Sequence, residues 1–185
     1  MKYLHAFLAA AALLAAPAFA QVPIGAASIK LGKLEISAPT TPEYQITGGQ
    51  NKRYKIKNWL EIEISYETKA EEIDELTFKF TALVEGKLLD GEVTYMNISK
   101  GEHYAVMYIS PKSLEKLTGG KPFTSAGLTN VWVEVNRQGQ VLGREQQKNT
   151  AQPNVARVAG MIVNKTQTPF APLYYDRYEE IKAAR

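Results

Sequence analysis

The carboxyl pair Glu61 and Glu63 is the nearest thing in this sequence to a catalytic device. Glycoside cleavage needs two facing carboxyl groups, one to protonate the leaving group and one to attack or to activate water. Two positions apart on a strand, the pair would share one face at a spacing of about 7 Å. The bland reading of the same pattern, a solvated strand face with alternating glutamates, suits the neighbouring residues better. His103 is the one histidine beyond the first twenty residues, so a histidine-centred triad has a single candidate base. A packed or surface role accounts for it more simply. The chain contains no cysteine, which removes thiol catalysis, disulfides and thiolate metal sites. With one histidine beyond residue 20 that part of the chain also lacks the makings of an ordinary zinc site. Asp74, Asp90 and Asp176 are scattered rather than clustered as a calcium loop requires. Phosphate-cradling, dinucleotide and nucleophile-elbow glycine motifs are all missing. The expectation is therefore a non-enzyme with no cofactor and no metal.

Binding leaves more traces than catalysis. Trp59 falls on the polar phase of its segment with Lys57, Glu61 and Glu63, and Trp132 falls on the polar phase with Asn130, Glu134 and Asn136. A large aromatic facing away from a core calls for a reason. Either it stacks on a sugar or anchors a partner, or a loop or the terminal helix covers it. Arg53, Lys55, Lys57 and Trp59 form a basic stripe on one side of a strand, suited to an acidic glycan, an anionic lipid surface or a pilus subunit, or to keeping an edge strand from aggregating. The third candidate is the tail, where Phe170, Tyr174, Tyr175 and Tyr178 concentrate aromatic surface. Such residues bring large area with few rotors to freeze. They suit an interface, or docking on the chain's own domain over one of the tryptophans.

The elements that must position these residues read as strands. Ile29 to Ser37 alternates and slips phase at Gly32-Lys33, as a bulge requires. Between Lys55 and Thr68, Ile56, Leu60, Ile62, Ile64 and Tyr66 share a face, and between Glu75 and Glu85 Leu76, Phe78, Phe80, Ala82 and Val84 do the same. Further strands are expected at 92–99, 103–109, 130–136, 141–147 and 155–163, the stretch 103–109 being apolar on both phases and so central. Gly86-Lys87, Asp90-Gly91, Lys100-Gly101 and Gln138-Gly139 supply turns between them. Residues 146–153 form a polar loop. Ser110-Pro111, Leu114, Leu117 and Gly119 spell out a two-turn helix with both ends capped. A second helix is expected from Pro172, with Tyr174, Tyr178 and Ile181 on one stripe. About eight strands at this spacing predict an all-β fold, an antiparallel sandwich, with a closed barrel as the alternative.

The ends and the charge bound the setting. Lys2, the apolar run 6–16, Pro17 and Ala18-Phe19-Ala20 compose a secretory signal peptide with cleavage expected after Ala20. The run is too short to span a bilayer, so no transmembrane segment is expected in residues 21–185. The chain has 22 Lys and Arg against 19 Asp and Glu, too even a balance for nucleic acid as a main partner. Residues 21–165 read as one domain and 166–185 as an aromatic helical tail.

With that leader, the cysteine-free strand pattern and the segment Pro169–Tyr178 (PFAPLYYDRY), the chain resembles a family of small exported proteins of mucin-degrading verrucomicrobia encoded with type IV pilus-like components. The resemblance implies an immunoglobulin-like sandwich, although the Cys…Trp…Cys signature of antibody domains is absent. It further implies location in the periplasm or at the outer cell surface of a Gram-negative-type bacterium. The function it implies is adhesion or assembly through protein partners, self-association into a homo-oligomer included. A glycan-binding module, resting on the two tryptophans and the basic stripe, is the alternative.

Overall fold

The computed structural model describes residues 28–45, 47–48 and 55–183. The signal peptide read at residues 1–20 and Arg53 of the basic stripe lie outside them. Eight strands form one sheet: β1 (Ile29–Ser37), β2 (Leu60–Val84), β3 (Lys87–Ile109), β4 (Leu128–Arg137), β5 (Gln140–Gln146), β6 (Arg157–Ala159), β7 (Ile162–Asn164) and β8 (Glu180–Ile181). The central path is β5-β4-β2-β3-β6, with β1 paired to β2 and β7 and β8 paired to β3. All pairings are antiparallel except that of β6 with β3.

A single long hairpin, β2–β3, organises everything else. Its turn is Glu85-Gly86, both residues at positive φ (48° and 72°), as a two-residue turn that follows the strand twist requires. Midway along it three residues of β2, Lys69 to Glu71, stand opposite one of β3 between the pairs Thr68↔Gly101 and Glu72↔Ser99. At this bulge the ribbon doubles over. Tyr66 and Phe78 are twelve residues apart on one strand, which would separate them by about 40 Å if β2 were straight, yet their rings lie 4.8 Å apart. Likewise the Val106 amide donates to the Tyr95 hydroxyl at 3.0 Å across the fold in β3. The two inner faces close on a core of Ile62, Ile64, Leu76, Phe80, Leu89, Met107, Val133 and their neighbours.

The sequence expectations need four corrections here. The strands expected at 92–99 and 103–109 are one strand, because Asp90-Gly91 and Lys100-Gly101 are not chain reversals. Gly91 lies inside β3 where a Cβ would meet Ile162 at 2.7 Å, so its glycine serves close approach. Gly101, at φ 138°, belongs to the bulge that bends the ribbon. Second, β2 begins at Leu60 rather than Lys55, and Ile56 is exposed instead of sharing the inner face. Third, the segment 155–163 is two short strands broken at Gly160. Fourth, no helix follows Pro172: the chain runs through turns to β8, and Tyr174 has φ 53°. The strands thus form two layers of one folded sheet instead of two separate sheets.

Two local readings agree with the structure. Strand β1 carries its bulge between Leu31 and Leu34. Helix α1 (Pro111–Leu117) has Ser110 as N-cap, its hydroxyl accepting from the Ser113 amide at 3.1 Å. Gly119 at φ 66° and the Gly120 amide bonded to the Glu115 carbonyl close its C-terminus. Among the described residues it is the one α-helix, and no helix there is long and apolar enough to cross a membrane.

Candidate interaction sites

Residues 103–109 are apolar on both phases because β3 is covered on both sides at this end. Ala105, Met107 and Ile109 face the core, whereas Val106 and Tyr108 face outward into a second cluster with Trp59 and Phe170. Phe170 stacks on Tyr108 with ring centroids 5.0 Å apart, and Trp59 meets both rings edge-on at 5.7 and 6.4 Å. The Trp59 indole N–H donates to Thr41 Oγ1 at 3.1 Å. Trp59 is therefore covered, as one of its two sequence readings has it, and the cover is the C-terminal segment. Geometries of this kind contribute about 0.5–1.5 kcal/mol per pair beyond area burial.

The basic stripe does not survive as a strand face. Lys55 is exposed and precedes β2, while Lys57 is paired with Glu115 of α1. The Lys57 carbonyl accepts from the Thr41 amide at 2.9 Å, so this run is held to the segment after β1.

The carboxyl pair is likewise occupied. Glu61 accepts from the Ser37 hydroxyl at 2.8 Å. Glu63 takes both Nε (3.1 Å) and Nη2 (2.5 Å) of Arg177 and the Tyr178 hydroxyl. Arg177 also lies 3.7 Å from the centre of the Tyr104 ring, and its hydrogen bonds to Glu63 raise its pKa further. Burial, and then the bond to Glu63, push the Tyr178 phenol up. His103 donates from Nε2 to the Ser99 carbonyl at 2.8 Å, and its Nδ1 lies 2.8 Å from Glu179. Both glutamates of the pair and the histidine are thus engaged by neighbouring groups of the same chain. Among the described residues no cluster of three or more metal-ligating side chains occurs.

These contacts pin the tail on either side of one turn. Phe170 anchors it upstream; Arg177, Tyr178 and Glu179 anchor it downstream. Lys165, itself buried, donates to the Ala171 carbonyl at 3.1 Å. Between the anchors Tyr174 and Tyr175 project, 59% and 83% exposed, on a turn closed by the Arg177 amide and the Tyr174 carbonyl. A tyrosine at positive φ costs about 1–3 kcal/mol and is held only by surroundings that over-determine it.

Trp132 lies on the opposite layer and is half-exposed. Its outward neighbours follow from the register: Thr81 and Lys79 on β2, Glu134 on β4, Gln146 and Arg144 on β5. They line an open groove of about 360 Å³. The indole N–H donates to the Thr150 carbonyl at 2.8 Å. That carbonyl belongs to the polar loop 146–153, which the buried Asn130 secures through the Lys148 carbonyl (2.9 Å), the Thr150 hydroxyl (2.9 Å) and the Lys148 amide (2.8 Å). Asn130 is the positioning residue sequence reasoning missed. Its signal was a polar side chain next to Val131 at the start of an apolar strand.

No curated protein matches the chain significantly. Among solved structures, a crystal structure of a protein from Akkermansia muciniphila superposes with a TM-score of 0.73 at 27% identity, covering 85% of this chain and 94% of that one. A protein-family model matches residues 20–185, nearly the whole sequence, and the chain belongs to that family.

Proposed function

We propose that this is a non-enzymatic, exported interaction protein of a bacterial cell surface, working within a pilus-like assembly and associating through the Tyr174-Tyr175 turn. The single observation that carries the reading is that turn: two exposed tyrosines held on a strained backbone between anchored flanks. An aromatic pair on a backbone already held in place forfeits little backbone entropy on binding, and tyrosine has few rotors of its own to freeze. The leader read at residues 1–20 and the relative from a verrucomicrobium support the setting. The immunoglobulin-like character belongs to the same proposal, the doubled sheet being its nearest counterpart here.

Self-association tests it on the purified chain. Light scattering over a concentration series of residues 21–185 should give a defined multimer. Tyr174→Ser with Tyr175→Ser should weaken association about tenfold or more, at unchanged unfolding behaviour, because serine keeps the Cβ that makes the positive φ costly. A monomer at all concentrations, before and after substitution, counts against the reading.

A further inference from the structure

The groove at Trp132 is separate from the tyrosine turn, on a different layer of the folded sheet and built from the second half of β2 with β4 and β5, whereas the turn is anchored on the first half of β2 and on β3. Its floor is a partly exposed indole whose one polar atom is already used on Thr150. What remains for a ligand is the flat apolar face. Around it stand groups that exchange hydrogen bonds with hydroxyls. Gln152 accepts from Arg157 Nη2 at 2.6 Å, which leaves its amide N–H groups to donate. Gln146 donates to Asn149 Oδ1 at 2.9 Å, which leaves its carbonyl to accept. The Lys79 ammonium makes no hydrogen bond among the described residues, although its charge acts on Glu134.

Charge narrows the ligand. Lys79 and Arg144 are matched in the lining by Glu134 and Glu145, and Arg144 Nε is bonded to Glu134 at 2.8 Å. Just beyond, Arg157 takes both oxygens of Asp90 at 2.8 and 2.9 Å. Burial works against the Glu134 charge, but hydrogen bonds from Asn136 and Arg144 hold its carboxyl below the usual range, so it stays an acceptor. A groove whose charges cancel gives an ionic ligand nothing to win against its own desolvation. A purely apolar ligand would strip water from Lys79, Gln146 and Gln152 without replacing their hydrogen bonds.

We propose that this groove binds a neutral pyranose sugar, one C–H face of the ring stacked on Trp132 and its hydroxyls bonded to Gln152, Gln146, Lys79 and Glu134. A ring with one face of C–H bonds and an equator of hydroxyls satisfies both halves of the site at once. The volume, near the lower end for ligand pockets, suits one or two such rings. Asn130 acts at one remove, holding the loop that fixes the indole.

Saturation-transfer NMR on residues 21–185 tests this, with lactose, N-acetyllactosamine and cellobiose as neutral probes and 3′-sialyllactose as the anionic one. At least one neutral probe should show saturation in the millimolar range, strongest on the C–H protons of one ring face. Trp132→Ala should reduce affinity about tenfold or more, and Trp132→Phe should retain part of it. Should Trp132→Ala fold poorly, the proton map on the unsubstituted protein still decides the matter. Saturation from no neutral probe, saturation spread evenly over the ring, binding unchanged by Trp132→Ala, or tighter binding of the sialylated probe would each overturn the proposal.

Discussion

The two tryptophans start from the same pattern and end in opposite circumstances. Each occupies the polar phase of its segment, flanked by glutamate and an amide or amine side chain. Trp59 is roofed by Phe170 and buttressed by Tyr108; Trp132 is roofed by nothing described and only steered by Thr150. Local sequence states which way a side chain points. Whether anything lies there is decided by a segment more than a hundred residues away. An outward-phase aromatic thus becomes core when the chain supplies a second aromatic to cap it, and a recognition surface when the chain supplies only a hydrogen bond to hold it still.

The contrast predicts a graded series of effects. Phe170→Ala should be the most severe, costing about 3–5 kcal/mol in denaturant unfolding, because it leaves a cavity above two rings. Tryptophan emission should shift red as Trp59 becomes wet. Next, Asn130→Ala should cost about 1–3 kcal/mol, since it removes three hydrogen bonds made by a buried side chain and frees loop 146–153. Faster amide exchange confined to that loop would mark the effect as local. Trp132→Ala should change stability by less than about 1 kcal/mol while abolishing any sugar signal. A cost as large as that of Phe170→Ala would mean the two tryptophans are alike after all. Smallest is Tyr66→Phe. The Tyr66 hydroxyl is buried without a hydrogen-bond partner among the described residues, and its removal should leave the unfolding midpoint unchanged or slightly raised, because an unsatisfied polar group is lost with little packing.

Much of the fold was legible because it is written locally. The phase slip at Gly32-Lys33 and the caps at Ser110 and Gly119 are signals a few residues long, and each marks the feature it suggests. The errors arose where a local signal answered to something distant. Asp90-Gly91 has the composition of a turn, yet its glycine is there to admit Ile162. Lys100-Gly101 looks like a chain reversal and instead bends a continuous strand. The stripe Tyr174, Tyr178, Ile181 has helical spacing, but its members have separate destinations: Tyr174 projects, Tyr178 reaches Glu63, and Ile181 pairs with Tyr95 in the sheet. For the sites, Trp132, Tyr174 and Tyr175 could be named from residue type and phase. The basic stripe could not be judged, because its Lys57 answers to Glu115 on a helix that sequence order places far away.

The contrast between a capped and an open tryptophan is tested most directly by acrylamide quenching of two single-tryptophan proteins, Trp59→Phe and Trp132→Phe. With Trp132 alone, emission should be red-shifted and readily quenched; with Trp59 alone, blue-shifted and protected, becoming quenchable when Phe170→Ala is added. Equal quenching of the two proteins, or protection of Trp59 that survives loss of Phe170, would contradict the account.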